Sequence, residues 1–182
     1  MPAKSAGKKR IAYPIDDDAC NSCSTKVNAE MMGASVSGTP ARVGAKIEGS
    51  EPCSWFEIHY LVKELARKVG QEKYDCILGI ANGGIIPARL LAEELHLDAI
   101  HLVPVRNKKV IAAEMPKLDR NKRYLVIDDI YDTGATFDMV AHALKGYNCD
   151  FAFCMSRYEQ SAGVYGRILN HNRWIVFPWE KS

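Results

Sequence analysis

The chain is predicted to be an α/β protein, with a mostly parallel twisted sheet flanked by helices. Short apolar runs occur at residues 76–80, 99–105, 124–127 and 150–156. They are continuous rather than alternating, which marks strands buried on both faces. Between them lie segments whose apolar residues return at helical spacing, such as Phe137, Val140, Ala141 and Leu144. Strands that alternate with helices imply parallel order and helices on both faces of the sheet.

Residues 1–53 differ from the rest. Lys4, Lys8, Lys9 and Arg10 are followed by Asp16, Asp17 and Asp18, then by a stretch rich in Ser, Gly, Ala and Thr with poor apolar periodicity. This segment is expected to be an extension, disordered or laid over the domain surface. The domain proper is expected over residues 54–182. It opens with Ser54 as an N-cap and Glu57 completing a capping box. Trp55, Ile58, Leu61, Val62, Leu65 and Val69 form one apolar helical face, and Gly70 is a natural stop. The strand at 76–80 leads through Ala81-Asn82-Gly83-Gly84 into a helix over 85–97 with Pro87 in its first turn. After the strand at 99–105, residues 106–123 form a long polar connection rich in Lys and Arg. The 124–127 strand and its helix follow, then a strand at 150–156 and a tail that ends in Arg173-Trp174-Ile175-Val176-Phe177-Pro178-Trp179-Glu180.

With 182 residues there is room for one domain with a proper core. A net charge of +2 argues against a dedicated nucleic-acid binder, and nucleic acid is not an expected partner. No apolar stretch reaches the roughly 20 residues of a membrane span, and no signal-type segment follows the basic start, so a cytoplasmic protein is expected. Cys20 and Cys23 form a C-x-x-C pair with Cys53 as the one obvious third ligand, a weak metal signal beside plain thiols. Cys76 and Cys154 fall in strands and are expected in the core. The five histidines are scattered and read as surface or core residues. Phosphate-loop, dinucleotide, zinc-protease and nucleophile-elbow signatures are absent from the sequence.

The segment from Tyr124 to Thr136 carries the chemistry. An apolar run delivers Asp128 and Asp129, a third acid follows at Asp132, and Thr133-Gly134-Ala135-Thr136 makes a small, hydroxyl-rich turn before a helix. Ligands of open α/β sheets bind at the carboxyl ends of strands. A helix N-terminus with small residues suits a phosphate, and paired carboxylates beside it suit a divalent metal or sugar hydroxyls. The combination points to a phosphorylated sugar held with magnesium.

This segment resembles the phosphoribosyl diphosphate (PRPP) motif of the type I phosphoribosyltransferases: a hydrophobic strand, two acids, two variable residues, then Asp-Thr-Gly-x-Thr. The resemblance implies that Asp132, Thr133, Gly134, Ala135 and Thr136 bind the 5'-phosphate. It implies that Asp128 and Asp129 bind the ribose hydroxyls or Mg2+, the expected cofactor. Asn82, Gly83 and Gly84 stand where the family has its pyrophosphate loop. Many members carry Arg or Lys at the place of Asn82, so cations elsewhere must help, with Arg106, Lys108 and Lys109 as candidates. The C-terminal segment resembles the hood of xanthine-guanine and hypoxanthine phosphoribosyltransferases, placing hood elements near 157–182. There Trp174 would stack on a purine and the Ile175 backbone would read its edge. At the place of a lysine that donates to the purine 6-oxo group stands Arg157, which can donate too.

The resemblance implies transfer of 5-phosphoribosyl from PRPP to a 6-oxopurine, namely guanine, xanthine or hypoxanthine. Asp132 would accept the N7 proton as the catalytic base. A helix N-terminus weakens that base while a bound phosphate strengthens it. A homodimer or homotetramer is expected. The competing reading is a weakly catalytic or non-catalytic regulator that senses PRPP or nucleotide on the same fold.

Overall fold

Helix α1 (Trp55–Val69) starts where the capping pattern places it, with Ser54 Oγ accepting from the Glu57 N–H at 3.2 Å. The reciprocal half of the expected capping box does not form. Glu57 instead turns its carboxylate to Arg167, a full ion pair in place of a bond to a backbone N–H. The computed structural model describes residues 49–70, 73–159 and 163–180. Residues 1–48, including Cys20 and Cys23, lie outside the described residues.

The main sheet has five strands in the order β3-β2-β6-β7-β8: β2 (Cys76–Ile80), β3 (Ile100–Val103), β6 (Arg123–Tyr131), β7 (Asn148–Ser156) and β8 (Val164–Ile168). All four pairings are parallel. Their carboxyl ends therefore share one edge, which is where the loops of an open α/β sheet gather. Helices α2 (Ile85–Glu94) and α3 (Ala135–Ala143) follow β2 and β6. The central strands bury both faces. Ile77, Leu125, Ile127 and Ala152 pack with Leu61, Leu65 and Leu91 of α1 and α2. Leu78, Ile80, Tyr124 and Val126 pack with Val140 and Leu144 beside α3. Each fully buried Leu or Ile side chain contributes about 2 kcal/mol.

Two expectations change. The connection after β3 is ordered into a hairpin, β4 (Val105–Arg106) with β5 (Lys109–Val110). Its two-residue turn, Asn107 and Lys108, has φ of 50° and 56°, the positive pair that matches hairpin twist. The stretch expected to be hood also divides. β8 extends the main sheet, while β9 (Trp174–Val176) pairs in parallel with β1 (Ser50–Pro52). Residues 50–53, expected in the extension, are therefore part of the ordered domain. Cys53 is buried in the core, and its thiol is pushed up to about 12 by burial and by Glu57. Among the described residues no group of three or more His, Cys, Asp or Glu is placed to hold a metal. No described helix is long and apolar enough to cross a membrane.

Candidate active site

Strand β6 runs in register with β7 past Asp128, opposite Phe153, to Tyr131, opposite Ser156. Continuing a buried strand with carboxylates places charge where water is scarce. Asp128 is buried and Asp129 half-buried. Burial, reinforced by the neighbouring Asp129 charge, raises Asp128 well above the usual carboxylate range. Burial, with repulsion from Glu180, raises Asp129 to about 6. The pair is poised for a cation or a hydrogen-bond donor.

The loop 81–84 meets this pair, and its glycines have distinct tasks. A Cβ on Gly83 would lie 2.3 Å from Asp129 Oδ2, so only glycine lets the loop lie against that carboxylate. A Cβ on Gly84 would lie 2.2 Å from the Ile127 carbonyl and 2.6 Å from the Ile80 N, so Gly84 permits close packing on the sheet. Gly84 N–H donates to Ile80 O at 2.7 Å. Ala81 N–H is likewise taken by Val103 O. The N–H groups of Asn82 and Gly83 have no acceptor among the described residues. Of the candidate cations, Arg106 is held bidentately by Glu114 at 2.8 Å, whereas Lys108 and Lys109 carry no ion pair among the described residues.

Beyond β6 the chain turns through Asp132 and Thr133 into α3. Gly134 sits in the left-handed region at φ 83°, with the Tyr131 hydroxyl packed against it. The first helical bond is Asp138 N–H to Gly134 O. The N–H groups of Thr133, Gly134 and Thr136 have no acceptor among the described residues, while Ala135 N–H reaches Thr133 Oγ1 at 3.4 Å. This is an anion seat of backbone donors at a helix start, with Thr133 and Thr136 exposed beside it.

A cleft of about 150 Å³ joins this turn to the C-terminal segment, lined by Asp129, Asp132, Arg157, Trp174, Ile175 and Glu180 among others. Arg157, at the end of β7, donates through Nε to Asp132 Oδ1 at 2.6 Å. Its other nitrogens hold the His171 carbonyl at 2.8 Å and the Arg173 carbonyl at 2.9 Å. Arg157 is thus the tie between the turn at Asp132 and the loop before β9, as well as a wall of the cleft. Trp174 is 48% exposed at the rim and makes no ring–ring contact among the described residues. Trp174 N–H donates to Gly49 O, and Cys53 N–H to Val176 O. The alternation of a parallel ladder then turns the Ile175 backbone groups away from β1. Phe177 is buried and stacks on Trp179 at 4.9 Å, and Trp179 meets Trp55 of α1, which anchors the segment.

The structure thus gathers Asp128, Asp129, Asp132 to Thr136, the 82–84 loop, Arg157, Trp174 and Ile175 at one edge of the sheet. Two participants went unseen in the sequence. Glu180 lines the cleft, its Oε2 accepting from Phe177 N–H at 3.1 Å. Glu51 contacts His171 and Arg173. A terminal acid after an aromatic run was the available signal for Glu180. Glu51 gave none, because its partners lie more than a hundred residues away.

The family model described as the phosphoribosyl transferase domain matches residues 54–180. A xanthine-guanine phosphoribosyltransferase of Idiomarina loihiensis is 26% identical over 136 residues, covering 70% of this chain and 84% of that protein. The enzyme of the same name from Desulfotalea psychrophila is 26% identical, covering 71% and 85%. The crystal structure of a purine phosphoribosyltransferase from Pyrococcus horikoshii superposes with a TM-score of 0.62 at 29% identity, over 74% of this chain and 96% of that one. With a match over most of its length and a fold in common, the chain belongs to the phosphoribosyl transferase domain family.

Proposed function

We propose that this chain transfers the 5-phosphoribosyl group of PRPP to a 6-oxopurine and releases pyrophosphate. The observation that carries the reading is the Asp132–Arg157 pair in a cleft beside Trp174. A 6-oxopurine offers an acceptor, the 6-oxo oxygen, next to a donor, the N7–H. Asp132 accepts only and Arg157 donates only, so the pair complements that edge. A 6-amino group would set donor against donor at Arg157. Relatives named xanthine-guanine phosphoribosyltransferase support the same choice.

The 5'-phosphate takes the donors of the turn at 132–136, and the ribose hydroxyls approach Asp128 and Asp129. The pyrophosphate lies by the free N–H groups of Asn82 and Gly83, with Lys108 and Lys109 the candidates for its charge, since Arg106 is held by Glu114. The anomeric carbon loses its bond to pyrophosphate and gains one to the purine nitrogen. The proton leaves N7 for Asp132 Oδ, with Arg157 fixing the carboxylate. Trp174 supplies a flat face for the base, and the Ile175 backbone faces its edge.

Two carboxylates at Asp128 and Asp129, both raised by burial, fit Mg2+, which binds through one or two carboxylates and completes its shell with substrate oxygens and water. When bound it neutralises the leaving pyrophosphate.

Pyrophosphate release from PRPP with Mg2+ and each purine in turn tests the reading. Release with guanine, xanthine or hypoxanthine, and not with adenine, is the expected result. PRPP binding without release from any base would overturn the transferase in favour of a regulator.

A further inference from the structure

We propose that Glu51 is a positioning residue for base selection, acting through the loop between β8 and β9. The proposal rests on the transferase reading of the cleft. Glu51 lies in β1, just before the family match begins at residue 54. Its Oε2 is 3.0 Å from His171 Nε2 and 2.5 Å from Arg173 Nη2. Its Oε1 is 3.6 Å from Arg167 Nη2, and Arg167 is shared with Glu57. Among the described residues Glu51 is the only acid paired with His171 or Arg173. The Nδ1 of His171 accepts from Arg173 N–H at 3.2 Å, a further tie within the loop.

The same two residues are held a second time, through their carbonyls. Arg157 binds His171 O and Arg173 O and reaches Asp132 with Nε. The loop is therefore gripped by Glu51 on its side chains and by Arg157 on its carbonyls. Trp174 follows directly on Arg173, so fixing residues 171–173 sets where its ring emerges. It also sets the height at which the Arg157 guanidinium meets the base. A contact made before the base arrives lowers the ordering cost of binding. Displacement by about an ångström is enough to lower turnover strongly. The phosphate turn and the acid pair hang on β6, which Glu51 does not touch. Loss of Glu51 is therefore felt more strongly at the base than at PRPP, which it reaches only through Arg157 and Asp132.

Glu51→Gln keeps the shape and removes the charge. The expected result is a rise of about fivefold in KM for the purine, the scale of two partly exposed ion pairs, with KM for PRPP within about twofold of wild type. Hydrogen exchange read by mass spectrometry should accelerate at amides 169–176 and stay unchanged in β2 and β6. Unchanged exchange in 169–176 together with an unchanged base KM overturns the proposal. Faster exchange throughout the sheet with both KM values rising overturns it as well, because Glu51 is then merely structural. Should the wild-type chain turn over no purine, the transferase reading fails by itself, and the exchange of 169–176 still decides whether Glu51 positions the loop.

Discussion

Replacing Asp129 by Asn should make the free protein more stable while removing its activity. Burial and Glu180 raise the Asp129 carboxyl from its ordinary 3.8 to about 6, so at neutral pH the folded chain holds a carboxylate that the unfolded chain holds more easily. A rise of that size corresponds to at most about 3 kcal/mol, and to about 2 kcal/mol once partial exposure is allowed for. Because the folded form binds the proton more tightly, its favourable contribution is complete below about pH 4 and is lost as pH rises through about 6. The Asn variant has no such loss. Urea unfolding from pH 4 to 8 should find the variant ahead by about 2 kcal/mol at pH 7.5, with the gap closing toward pH 4. In a thermal scan at pH 7.5 this corresponds to about 6–10 °C. A gap independent of pH, or a variant less stable than wild type at pH 7.5, would refute the electrostatic account of this strand end.

The two glycines of the 81–84 loop should separate function from folding. Gly83→Ala drives a methyl into the Asp129 carboxylate and should lower turnover at least tenfold with a nearly unchanged melting temperature. Gly84→Ala meets backbone at Ile127 and Ile80 and should cost about 2–3 kcal/mol of stability in urea unfolding. Trp174→Ala removes the exposed face of the cleft. It should weaken purine binding about tenfold to a hundredfold, the worth of one base–aromatic stack, and leave PRPP binding unchanged by calorimetry. Asp132→Asn should depress kcat with purine, and turnover equal to wild type would remove its role as proton acceptor.

The features legible in the sequence were the local ones. Ser54 and Gly70 bracket α1 because capping is decided by residues three or four apart. The strand at 76–80 is a continuous apolar run and is buried throughout. Asp128, Asp129 and the turn to Thr136 stood in one segment, so strand, acids and helix start could be read together. What escaped depends on distant pairing. Nothing near Ser50–Pro52 marks it as a strand, since its partner is Trp174–Val176 and it exists only as that strand's neighbour. Arg157 was expected as a donor to the base. Its fork onto His171 and Arg173 was not, because those carbonyls belong to a loop with no sequence pattern. Glu57 shows the limit of a local rule: the capping box named its partner, but an arginine from β8 is a stronger one.

The arrangement of strain and support at this edge of the sheet has a common cause. β6 lies between β2 and β7, where every residue from Tyr124 to Ile127 is buried. Extending the same strand by one more residue puts Asp128 into that environment, so the acids inherit rigidity from the core and lose solvent for the same reason. The rigidity suits the sugar proposed for this site, whose hydroxyls would meet carboxylates that do not swing. The lost solvent is the cost, and in the free chain nothing among the described residues offsets it with a positive partner for Asp128 or Asp129. Asp132, one turn further out, is treated differently. It is nearly half exposed and is held by Arg157, whose remaining donors anchor the loop before β9. The cleft therefore keeps Asp132 paired and leaves Asp128 and Asp129 without a positive partner among the described residues. On the proposed reading, a ligand at Asp128 and Asp129 would relieve the second arrangement without disturbing the first, which would couple its binding to stability.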